Sequence, residues 1–127
     1  MTTTTKHPIG WFEIAVADIG KAESFYGDLF GWDFADGPAP AGAGYRMIDA
    51  GDGIAGGLTT AEGGLPDRYA IFSIVVPDVA ATCEAVKEQG GRVLVGPVEA
   101  PGTGGLVFAN LEDPDGNHFG VFCPPAM

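Results

Sequence analysis

The chain has 127 residues, 46% of them hydrophobic and 18% charged, and its 6 basic against 17 acidic residues give a formal net charge of −11. That length suits one domain with a modest core, while the charge argues against nucleic acid as a partner and serves either solubility or the attraction of cationic ligands. No apolar stretch approaches the roughly 20 residues that cross a bilayer, so no membrane partner is expected, and the opening "MTTTTKHPIG" lacks the apolar core of a secretory signal.

Residues 1–8 read as a disordered tail, and a cytoplasmic location is expected, with Cys83 and Cys123 as free thiols. The stretch "WFEIAV" then alternates, so that Trp11, Glu13 and Ala15 share one face of a strand and Phe12, Ile14 and Val16 the other. Asp18 stands where an N-cap accepts the first free helix N–H groups, Ile19, Ala22, Tyr26 and Leu29 recur at helical spacing, and Gly31 ends the helix. Three segments of strand type follow, "WDFAD", "GYRMIDA" and "GIAGGLTT", and then a polar linker, "AEGGLPDR", over 61–68.

The second half repeats the first. "FSIVVPDVAATCEAVKEQGGR" from Phe72 matches "FEIAVADIGKAESFYGDLFGW" from Phe12 at a shift of sixty residues, pairing Ile74 with Ile14, Val76 with Val16, Asp78 with Asp18 and Gly91 with Gly31. A helix is expected after Asp78, with Val79, Cys83 and Val86 at its spacing and Gly90 and Gly91 at its end. "RVLVG", "GGLVFANLE" and "HFGVFC" complete the set. The fold class is therefore α+β: two tandem βαβββ modules, one over about 9–60 and one over about 69–123, within a single domain at 9–127. The open edges of two four-stranded sheets need covering, so a homodimer is expected.

"VADIGKAESFYGDLFGW" at 16–32 and the turn "DPDGN" at 113–117, together with the doubled module, resemble the vicinal oxygen chelate superfamily, which includes glyoxalase I, the bleomycin resistance proteins and the extradiol dioxygenases. The resemblance runs from about Ile9 to Cys123 and implies a curved mixed sheet that forms a cup around a small-molecule ligand. In metal-bearing members each module supplies two ligands, one early in its first strand and one in its last. Here those positions are Trp11 and Ile71, and, from the Asp-Gly turns aligned at a shift of sixty-three, Gly57 and Gly120. None carries an oxygen or imidazole nitrogen for a divalent ion, so no metal and no other cofactor is expected.

The same resemblance turns the face of Trp11 and Glu13 into the cup. A carboxylate in an apolar cavity is a candidate base or cation anchor, because desolvation disfavours its charge; alternatively Glu13 sits at a solvated mouth or pairs with an arginine. Trp11 is either a stacking wall or core filling. His118 is either a proton-transfer group or a rim residue bonded to its turn, and Arg46 and Arg68 suit surface ion pairs. The expected ligand site comprises Trp11, Glu13, Gly57, Ile71, Ser73, Gly120 and Phe122, with Glu13 and His118 as catalytic candidates and the glycines enlarging the floor. Three functions fit: metal-free binding of a small organic molecule, a metal-independent lyase or isomerase, and a structural or regulatory dimer whose cup is filled by its own side chains.

Overall fold

Both aspartates that open the repeated helices do so in the computed structural model, which describes residues 6–37, 45–60, 65–100 and 103–125. Asp18 accepts from the Lys21 N–H and Asp78 from the Ala81 N–H, each at 3.0 Å. These caps start α1 (Ile19–Phe30) and α2 (Val79–Glu88). Gly31, at φ 73°, closes α1, and Gly90, at φ 92°, follows α2, both in the left-handed region that a side chain disfavours.

Around them run β1 (Ile9–Ala15), β2 (Asp33–Asp36), β3 (Arg46–Asp49) and β4 (Gly56–Thr59) in the first half, then β5 (Tyr69–Val75), β6 (Arg92–Glu99), β7 (Val107–Glu112) and β8 (His118–Cys123). Residues 1–5 of the expected tail and 61–64 of the expected linker lie outside the described residues. Pro8, also assigned to the tail, accepts a 2.8 Å bond from the Val75 N–H. Each half pairs its first strand in parallel with its last, β1 with β4 and β5 with β8. The halves then join within one chain, β1 antiparallel to β5, giving a single eight-stranded sheet in the order β2-β3-β4-β1-β5-β8-β7-β6.

One face of this sheet carries the helices and two cores. Ile14, Ile48 and Leu58 pack with Ala22 of α1, and Ala109, Leu111 and Val121 pack with Val79 and Cys83 of α2. The opposite face, which carries Trp11 and Glu13, is left for the cup. β3, β4 and β7 are shorter than the segments "GYRMIDA", "GIAGGLTT" and "GGLVFANLE" expected for them, and one strand is longer. β6 runs past "RVLVG" to Glu99, through Pro97, with its register shifting between Val95 and Val98. Proline reads as a strand terminator, but β6 is the edge of the sheet, where a missing N–H leaves no ladder partner unsatisfied.

The turn "DPDGN" is held by its own first residue. The Asp113 carboxylate accepts from the backbone N–H of Asp115 and Asn117 and from the Asn117 side-chain amide, each at 2.9 Å. The Asn117 bonds, side chain first, keep this carboxyl below its usual range. With Gly116 at φ 89° the chain reverses tightly and delivers His118 directly into β8.

Candidate functional site

The register across the seam decides what meets in the cup. Trp11 lies opposite Ser73 and Glu13 opposite Ile71. On the outer sides Glu13 neighbours Gly57 of β4 and Ser73 neighbours Gly120 of β8. Met47 of β3 stands opposite Gly57, and Asn110 of β7 opposite Gly120. The result is a mainly apolar cavity of about 600 Å³, within the range usual for small-ligand sites. Trp11, Tyr45, Met47, Phe108 and Phe122 supply walls, Glu13, Ser73 and Asn110 supply polar groups, and Ala100, Thr103 and Leu106 border it from the loop between β6 and β7. Thr103 fixes that loop, donating to the Ala100 carbonyl at 2.6 Å and accepting from the Leu106 N–H at 3.2 Å.

Glu13 is the anionic end of the cavity. The Tyr45 hydroxyl donates to its Oε1 at 3.0 Å and the Tyr69 hydroxyl to its Oε2 at 2.7 Å, while the Trp11 indole N–H donates to the Tyr45 oxygen at 3.2 Å. Burial first, and the Glu13 charge second, push the Tyr45 phenol far above its ordinary pKa, so it stays protonated and remains a donor. Glu13 is thus neither unpartnered nor matched to an arginine. Its partners are two tyrosines that sequence reasoning did not single out. A signal for one was present: the shift of sixty-three that relates Gly57 to Gly120 also relates Tyr45 to Phe108 and Met47 to Asn110, so the cavity wall repeats with the fold.

The glycines act differently from the expectation that they enlarge the floor. A Cβ at Gly57 would collide with the Tyr45 hydroxyl, and one at Gly120 with the Ser73 Oγ. Each absent side chain is replaced by a neighbour's polar group, and Gly57 is what lets Tyr45 lie over the backbone and reach Glu13. Of the expected site residues, Trp11, Glu13, Ser73 and Phe122 border the cavity, while Gly57, Ile71 and Gly120 lie in the strand rows beneath or beside it. His118 does not border it. Its Nε2 lies 2.8 Å from Asn110 Oδ1, its ring meets the Tyr69 ring edge to face at 4.7 Å, and its buried Nδ1 has no hydrogen-bond partner among the described residues. Arg46 is spent on Glu23 and Asp36, away from the cup.

The donor set does not fit the divalent metal that the family resemblance raises. Trp11, Gly57, Ile71 and Gly120 offer no ligand atom, both oxygens of Glu13 already accept from phenols, and His118 is engaged with Asn110. Among the described residues no group of three or more His, Cys, Asp or Glu side chains converges on one point.

A family model for the glyoxalase/bleomycin resistance protein/dioxygenase superfamily matches residues 8–121. A glyoxylase-like domain-containing protein of Didymella fabae is 32% identical over 126 residues, 92% of this chain and 94% of that protein. The putative glyoxylase CFP32 of Mycobacterium tuberculosis is 31% identical over 117 residues, 88% of this chain but 44% of that protein, so the chain spans less than half of that relative's length. Among solved structures, methylmalonyl-CoA epimerase from Mycobacterium tuberculosis superposes with a TM-score of 0.65 at 20% identity, covering 99% of this chain and 94% of that one, a likeness of fold.

The buried imidazole sets a pH dependence. Burial lowers the His118 pKa below its ordinary 6.5, with the Glu112 charge acting weakly the other way. As pH falls through about 6.5, the unfolded chain takes up a proton at this residue that the folded chain does not. The unfolded state therefore binds more protons in that window, and stability should fall as pH drops below about 6.5 and be insensitive to this group above it. Urea unfolding between pH 8 and 5 should show a shallower acid loss for His118→Gln than for the wild type. Parallel curves would reject this role.

Proposed function

Because the chain belongs to the glyoxalase/bleomycin resistance protein/dioxygenase superfamily, we propose that it uses the cup to bind one small organic molecule without a metal ion. The observation that carries this reading is the Tyr45–Glu13–Tyr69 arrangement at one end of an otherwise mainly apolar 600 Å³ cavity. Two phenol donors hold a carboxylate in place, and their rings present apolar faces around it. Such a site suits a ligand with a flat apolar body and an ammonium or hydroxyl donor at one end, the body packing on Trp11, Phe108 and Phe122 and the donor meeting Glu13. The net charge of −11 favours the encounter with a cation.

The two other readings have less behind them. The described side chains leave the cup open, which speaks against a structural dimer filled by its own residues. Of the two proton-transfer candidates His118 does not reach the cavity, so a lyase or isomerase would rest on Glu13 alone.

A homodimer remains part of the proposal, on a different ground from the open inner edges, which β1 and β5 cover for each other. Its support is the outer face of α1, where Phe25, Leu29 and Phe30 are 55%, 61% and 61% exposed. Light scattering should give a dimer mass that Phe30→Ser reduces to the monomer mass; a monomeric wild type would reject the dimer.

Calorimetry with 4-ethylbenzylamine as the probe tests the site itself. Binding should survive dialysis against a chelator and weaken at least about tenfold in Glu13→Gln, which removes the charge and keeps the shape. The same variant should lose about 1 kcal/mol of stability, since one charge-assisted phenol bond becomes neutral and the other phenol faces an amide NH2, to which it can no longer donate. Equal affinity in both proteins, or affinity that disappears with the chelator, would overturn the reading.

A further inference from the structure

One polar group of the cavity has no role in that reading. Asn110 is only 6% exposed, yet it borders the cavity from β7, opposite Gly120. Its Oδ1 lies 2.8 Å from His118 Nε2, whose buried ring companion Nδ1 has no partner among the described residues. These two facts fix the hydrogens. A buried N–H without an acceptor is costlier and rarer than an acceptor without a donor. With its hydrogen on Nδ1 the imidazole would strand a donor there and meet the Asn110 oxygen with a lone pair. With it on Nε2, the imidazole donates to Oδ1 and strands only an acceptor. Oδ1 is therefore turned to His118 and the Nδ2 amino group is turned away from it. Among the described residues no acceptor takes a hydrogen bond from that amino group, which leaves the cavity as its outlet.

Resting on the cavity as the ligand site, we infer that Asn110 is a second recognition point, donating Nδ2–H to a carbonyl oxygen of the ligand, and that His118 is the positioning residue that sets the amide. The repeat sharpens this. Asn110 corresponds to Met47 in the first half, so a donor stands at one end of the cup and an apolar side chain at the equivalent place on the other. In the sheet order β1-β5-β8-β7, Asn110 lies three strand spacings from the strand of Glu13, roughly 14 Å along the sheet before the side chains reach inward. A molecule meeting both is larger than a three-carbon aldehyde. The ligand class is a ring-sized compound with an ammonium or hydroxyl donor at one end and a ketone, amide or ester carbonyl at the other.

The test uses matched probes, 4-(aminomethyl)acetophenone and its carbonyl-free counterpart 4-ethylbenzylamine, with nitrogen NMR of the imidazole. In the wild type the ketone should bind about five- to tenfold more tightly. Asn110→Ala should remove that difference, so that the ketone and 4-ethylbenzylamine bind the variant equally. His118→Ala should narrow it, and His118→Gln, which keeps a donor toward Asn110, should restore it. The spectrum of unliganded wild type should show His118 protonated at Nε2 and bare at Nδ1, a readout that needs no variant to fold. Equal binding of the two probes to the wild type, or a proton on Nδ1, would overturn the inference and leave the cavity reading standing. Binding of neither probe would overturn both.

Discussion

The antiparallel pairing of β1 with β5 is the constraint from which the site follows. It joins the repeated halves into one sheet and places Trp11 against Ser73 and Glu13 against Ile71 at the centre. Because side chains alternate across a strand, a slip of one residue would send Glu13 into the helix-covered core and Ile14 into the cup. Ile14 is anchored there by Leu58, which is fully buried, so the register that buries the core also aims the carboxylate. Core packing and site geometry are one decision in this chain.

What this register aims into the cup is a carboxylate held by phenols. Glu13 loses water on entering the cup, and two hydroxyl donors compensate that loss without neutralising the charge. The halves, similar in backbone, have diverged in polarity: Glu13 and Tyr45 of the first correspond to Ser73 and Phe108 of the second, and Met47 to Asn110. A symmetric scaffold thus carries an anionic end and a neutral end, which is how a repeat can grip an unsymmetrical molecule.

The order of elements was legible in the sequence because its signals are local: the capping aspartates, the glycine at the end of the first helix, and the alternation of "WFEIAV". β6 was read too short because Pro97 is a stop signal only for a strand with neighbours on both sides. The cup-facing side of Trp11 and Glu13 was legible too, by alternation together with the family resemblance. The partners of Glu13 were not, since Tyr45 and Tyr69 lie 32 and 56 residues away and their reach depends on strand order. The glycines misled for a related reason. An absent side chain reads as empty space in a sequence, whereas in a packed sheet it is room that a neighbour takes, as Tyr45 does over Gly57.

The most direct measurement is a crystal structure of chelator-dialysed protein with 4-ethylbenzylamine. The expected result is the amine nitrogen within about 3 Å of a Glu13 oxygen, its ring against Trp11 or Phe108, and no metal between them. An amine bound outside the cup, or one seated on Glu13 only after a divalent ion is restored, would contradict it.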